Sequence, residues 1–181
     1  MNGKYKIFFS VVVFIALATG GYLLLYPAMF PASETPVSPP SAGGEYRNET
    51  YGFSVALPET WRGYSVTIDT WTGYAAGDEL GDVAFTAGPV VSIHNPKWTT
   101  STMYQDIPIM VFTIDQWDSL QQEKFHIGAG PIGPSELGRN TKYVFALPAR
   151  YNYAFPPGYE EVDQILQAKP LTTFEVGEME I

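Results

Sequence analysis

Ile107 to Ile114 reads IPIMVFTI, and Asp115-Gln116-Trp117-Asp118 follows without a break. Eight residues without a charge suit a strand covered on both faces and fall far short of a membrane span. The pattern therefore predicts a central strand that runs directly into a short helix. Asp115 is the expected N-cap and Asp118 favours the helix's positive end. Trp117 and Leu120 face the core, and the helix ends near Lys124.

Working outward, alternation marks the neighbouring strands. Upstream, Val83–Phe85 and Val90–Ile93 read as strand, with Gly88-Pro89 as a turn or bulge between them. Tyr64 to Trp71 is another strand, with Tyr64, Val66 and Ile68 on one face. Phe53, Val55 and Leu57 alternate with Ser54 and Ala56 in a half-buried strand that Pro58 ends, and Trp61 packs back on the sheet. Downstream, Phe125 to Asn140 is the most loop-like part of the domain. Tyr143, Phe145, Leu147, Tyr151, Tyr153 and Phe155 share one parity along an extended segment broken by Pro148. That parity reads as a buried strand face, with a stacking platform for sugars or bases as the competing reading. Tyr159, Val162, Ile165 and Leu166 form one helical stripe, with Glu160, Glu161 and Asp163 at the positive end and Lys169-Pro170 closing it. Leu171 to Val176 is an expected terminal edge strand.

Two motifs carry a resemblance. Tyr51 to Trp61, YGFSVALPETW, resembles the opening hairpin of the PsbP/Mog1-like superfamily, where an aromatic-Gly-Phe strand runs into a Pro-x-x-Trp corner. The acidic helix EEVDQIL leading into Leu171-Thr172-Thr173-Phe174 is similar too. The resemblance implies an antiparallel sheet between helices, and a binding or assembly module rather than an enzyme. The expected fold class is thus α+β: an α/β/α sandwich of the PsbP/Mog1-like kind, preceded by one transmembrane helix.

That helix is Ile7 to Tyr26, twenty residues without a charge, which reach roughly 30 Å, the thickness of a bilayer's hydrocarbon core. Lys4 and Lys6 precede it and no basic residue follows until Arg47, so residues 1–6 stay cytoplasmic and the rest is exported. Ala16-Leu17-Ala18 has the form of a signal-peptidase site, but the apolar run continues to a full span, which favours an uncleaved anchor. Residues 27–45 hold five prolines among small and polar residues and read as a spacer. Residues 46–181 are long enough for one domain with a real core.

The chain has 181 residues, no cysteine and a net charge of −9. Lack of cysteine removes thiol catalysis and thiolate metal sites. The acidic balance argues against nucleic acid, whose phosphates need a basic stripe. Asp78, Glu79 and Asp82 are candidate calcium ligands, against the plainer reading of an acidic surface turn. Gly128-Ala129-Gly130-Pro131-Ile132-Gly133 spells G-x-G-x-x-G, but with a helix before it and prolines around it the dinucleotide reading fails. His94 and His126 lie in no catalytic motif, and two histidines without cysteine make a poor zinc site. A binding surface is expected around His126, Arg139, Tyr151 and Tyr153.

The functional expectation is a single-pass membrane protein whose extracytoplasmic domain, without enzymatic activity, binds another envelope protein. A solute- or metal-binding receptor, using Ca2+ at 78–82 or the aromatics of 143–155, and a hydrolase with an unrecognised site are the alternatives. No cofactor is expected beyond that Ca2+.

Overall fold

The computed structural model describes residues 44–76, 84–128 and 132–177, and the expected anchor, most of the spacer and the acidic loop lie outside them. Nine strands dominate the described residues. β1 (Glu45–Asn48), β2 (Phe53–Ala56) and β9 (Leu171–Thr173) form a three-stranded antiparallel sheet in the order β1-β2-β9. β3 (Ser65–Ala75), β4 (Ala84–His94), β5 (Ile107–Thr113), β6 (Phe125–His126), β7 (Ser135–Arg139) and β8 (Tyr143–Leu147) form a six-stranded one, ordered β6-β3-β4-β5-β8-β7. Helices are α1 (Ile114–Gln121), α2 (Tyr159–Gln167) and the 3-10 turn Glu59–Trp61.

This is not an α/β/α sandwich. Strand accounts for 42% and helix for 16% of the described residues, and the large sheet curves into a half-barrel. A second sheet occupies the place where the resemblance implies a helical layer. No helix among the described residues is long and apolar enough to cross a membrane.

The central strand expected over 107–114 is present as far as Thr113, and its reason is visible. Ile107, Ile109 and Val111 point to a core shared with Tyr46, Phe53, Val55, Trp61, Phe145, Val162 and Ile165. Met110 and Phe112 point the other way, to Trp71, Trp117, Phe125, Val144 and Ala146. The small sheet and α2 cover the first face, and α1 covers one end of the second. α1 starts earlier than expected. Thr113, not Asp115, is the N-cap: its hydroxyl accepts from Gln116 N (3.2 Å), and Gln116 Oε1 accepts from Thr113 N (2.9 Å). Thr113 leaves the strand already extended, so it can serve both elements.

Gly88-Pro89 is no break either. β4 runs through it unbroken in register with β3, Gly88 opposite Trp71. A Cβ on Gly88 would sit 2.7 Å from the Trp71 indole. The ring instead lies across this glycine and donates from Nε1 to Val111 O, 3.0 Å away on the next strand. Pro89 falls just beyond Val90–Ile93, the stretch of β4 that pairs with β5, where its missing N–H costs no rung of that ladder.

The two sheets meet where β9 lies beside β7, joined by side chains rather than by a ladder. Thr173 donates its hydroxyl to Arg139 O (3.0 Å). Asn140, 8% exposed, does most of the joining. Its Nδ2 lies 2.9 Å from Tyr51 O, 3.3 Å from Gly52 O and 3.1 Å from Phe174 O, while Oδ1 accepts from Lys142 N and Tyr143 N. Gly52 has φ +79°, and a Cβ there would meet Phe174 O at 2.4 Å, so the hub closes only over glycine.

Replacing Asn140 with Ala takes a partner from several part-buried backbone groups, and leaving a buried group unsatisfied costs about 1–3 kcal/mol. We expect Asn140→Ala to lower the urea midpoint by the equivalent of about 2–4 kcal/mol with an unchanged m-value, while Thr141→Ala beside it shifts stability by less than about 1 kcal/mol.

Candidate functional site

Strand order separates the expected binding residues. His126 lies on β6 at one edge of the large sheet, paired with Tyr74, their rings 6.1 Å apart. Arg139 lies on β7 at the opposite edge. Its guanidinium is already engaged by Glu136 in a fork, Nε to Oε1 at 2.7 Å and Nη2 to Oε2 at 2.6 Å. That pairing holds the Glu136 carboxyl below its ordinary range. Tyr151 and Tyr153 do lie together, but not on a strand. Pro148 ends β8, and residues 149–154 form consecutive turns, so the shared parity of 143–155 has structural meaning only through Leu147. Asp78, Glu79 and Asp82 are outside the described residues, among which no group of three metal-ligating side chains occurs.

Registers place the N-terminus of β3, the C-terminus of β4, the N-terminus of β5 and the C-terminus of β8 at one end of the large sheet. The loops 95–106 and 148–158 leave from this end. A polar cluster holds them. His94, 7% exposed, is hydrogen-bonded through Nε2 to the Thr67 hydroxyl (2.8 Å), and its ring packs on Trp98 at 4.7 Å. Its Nδ1 is buried 3.9 Å from Asp106 Oδ2, too far for a hydrogen bond. Gln105, 2% exposed, donates from its backbone to Pro157 O (2.9 Å) and from Nε2 to Tyr151 O (3.3 Å), which ties the two loops together. Tyr151 donates to Asp163 Oδ1 (2.5 Å), which also accepts from Asn152 Nδ2 (3.2 Å), fixing the second loop to α2.

Hydroxyl, imidazole and carboxylate thus occur in sequence at Thr67, His94 and Asp106. The arrangement organises loops. Thr67 sits within a strand, between residues committed to the β3–β4 register. The cluster leaves no continuous signal in the sequence because its members come from two strands, two loops and α2. The one local signal was His94-Asn95-Pro96 directly after an apolar strand, with Asn95 Oδ1 accepting from Lys97 N (2.9 Å) to start the loop.

A second feature is the outer edge of β3. β6 pairs with it only at Tyr74 and Ala75, and among the described residues nothing pairs with the outer side of Ser65–Gly73. Thr67, Ile68, Asp69 and Thr70 are exposed, Ile68 at 51%. The expected burial of Tyr64, Val66 and Ile68 therefore fades along the strand. The small sheet and α2 cover β4, β5 and β8 and stop short of Ile68.

Burial raises the phenols of Tyr46, Tyr51, Tyr64 and Tyr151 above their ordinary value of 10.0, Tyr64 to about 12. For Tyr64 the phenol of Tyr46 and the carboxylate of Glu45 add to burial; for Tyr151 the bond to Asp163 does. Above pH 10 the unfolded chain has released protons that the folded chain keeps, so stability falls as pH rises. The urea midpoint should be steady up to pH 10.0 and drop between there and about 12, with tyrosinate absorbance rising in step with loss of near-ultraviolet dichroism. Tyr64→Phe should shrink that drop. Compared with protein-family models, curated proteins and solved structures, the chain finds no match.

Proposed function

We propose that this chain is a membrane-tethered, extracytoplasmic binding module that recruits an extended segment of another envelope protein onto the outer edge of β3. The tether is the apolar stretch 7–26, with the basic residues Lys4 and Lys6 on its cytoplasmic side. The observation that carries the binding reading is the edge itself. Along Ser65 to Gly73, every second residue presents its backbone donor and acceptor outward without a partner among the described residues. Such an edge is a template for strand addition, in which main-chain bonds give affinity and alternate side chains give selectivity.

The side chains suit this role. Ile68 supplies an exposed apolar contact on one face, and Asp69 an exposed charge on the other. No Pro, Lys or Arg interrupts Ser65–Gly73, although those are the residues that usually block an edge. β4 pairs with the strand from behind all the way from Ser65 to Tyr74, so a partner strand would dock on a preformed surface.

A photo-crosslinking residue at Thr70 of the full-length chain, in native membranes, should capture one envelope protein. The same residue at Gln121 should not. Ile68→Lys should reduce capture at Thr70 at least tenfold and leave thermal stability within about 0.5 kcal/mol of the parent, because Ile68 is a surface position. Capture that is equal from Thr70 and Gln121, or indifferent to Ile68→Lys, contradicts the reading.

A further inference from the structure

We infer that the loop end of the domain docks on the surface of the bilayer that carries the chain's own apolar segment. This rests on the tether reading above. Three large apolar side chains are conspicuously exposed at this end: Met103 at 65%, Tyr153 at 73% and Phe155 at 65%. They are contiguous with further aromatics. The rings of Phe155 and Tyr159 meet edge-on at 5.1 Å, and a Cβ on Gly158 would lie 3.3 Å from the Tyr104 ring. Cations rim the patch, with Lys97 Nζ 5.9 Å over Tyr104 and Arg150 Cζ 5.7 Å over Tyr153. Tyrosine, other apolar bodies and snorkelling Lys and Arg are the side chains that settle at the headgroup level of a membrane.

The backbone is bent to present them. Arg150 and Phe155 both adopt left-handed conformations, φ +54° and +46°, on either side of Tyr151–Ala154. Neither is a residue type that takes this conformation readily, and such strain is kept where surrounding structure enforces it. Gln105 and Asp163 do so from the two flanking elements. The turns therefore leave Tyr153 and Phe155 largely exposed, with the Phe155 ring meeting α2 at Tyr159, its first residue.

Chain direction supplies the occupant. The domain begins at Gly44, whose carbonyl accepts from Leu57 N, and Glu45 O accepts from the Tyr64 phenol at 3.1 Å. Tyr64 leads straight into β3, whose first residue stands opposite His94 at the start of loop 95–106. Thr60, in the turn before Tyr64, donates to Glu161 in the first turn of α2. The chain thus joins the domain at the same end as the patch. Residues 27–43 separate Gly44 from the apolar segment, at most about 60 Å when fully extended. A link of that length holds the loop end near the bilayer at an effective concentration of the order of millimolar, enough for a weak surface contact to form. Glu160 is also exposed here and the chain is net acidic, so the contact is with a zwitterionic interface rather than with anionic headgroups.

Because the chain has no cysteine, a single label can be placed at will. Full-length chain carrying Ala154→Cys, labelled with a fluorophore, is reconstituted in phosphatidylcholine vesicles that contain lipid spin-labelled near the headgroup. The same is done with Gln121→Cys, at the opposite end of the sheet. Quenching at 154 at least threefold that at 121, abolished by Tyr153→Ser with Phe155→Ser while circular dichroism is unchanged, is the expected result. Equal or absent quenching at 154, in chain that resists carbonate extraction, overturns docking and leaves the tether standing. Chain released by carbonate overturns both.

Discussion

One carboxamide holds the two sheets together. Asn140 sits at the end of β7 and spends both of its polar atoms on backbone from three places: the turn at Tyr51–Gly52, the exit of β9 at Phe174, and its own turn into β8. Strand pairing alone would leave β1-β2-β9 and the six-stranded sheet as separate layers over a shared apolar core. Apolar contact is non-directional and would tolerate sliding of one layer on the other. Three directed contacts across the seam, from one buried side chain held in place by Lys142 N and Tyr143 N of its own turn, do not. Gly52 completes the device, since a side chain there would collide with the Phe174 carbonyl.

The closure has an opposite side. With β7 and β9 bound to one another, the small sheet and α2 lie over β4, β5 and β8, and the far strand, β3, projects beyond their cover. β6 caps only its C-terminal two residues. An open edge, a loop end carrying exposed aromatics, and a chain entry beside those loops all follow from that one asymmetry. The proposed arrangement uses each in turn: the loop end against lipid, the edge towards a partner strand.

Local elements were legible where the chemistry is local. The central strand announced itself through an uninterrupted apolar run, and α2 through Val162 and Ile165 at helical spacing. Both elements stand on those residues. Gly88-Pro89 misled because glycine serves there as room for the Trp71 indole, a contact with a side chain seventeen positions away. Tyr151 and Tyr153 misled in another way, since parity survives through a turn even though the strand does not. Layering was illegible altogether. Three short strands lie beside α2 over the large sheet and are tied to it where Asn140 meets Tyr51 and Phe174, and nothing in the spacing of those residues advertises the meeting. The candidate site was hidden for the same reason, as His94 meets Thr67 on another strand, and Gln105 and Asp163 hold Tyr151 on a loop apart from their own elements.

The openness of β3 is the claim on which the functional account stands, and backbone hydrogen exchange of the purified chain tests it directly. Amides in the middle of an edge strand alternate: those facing β4 are bonded, those facing outward are not. The account predicts that every second amide from Ser65 to Gly73 exchanges as freely as one in solvent, while the intervening ones share the protection of β4 and β5. Uniformly slow exchange across the stretch would show that the edge is already covered within the chain, and would contradict it.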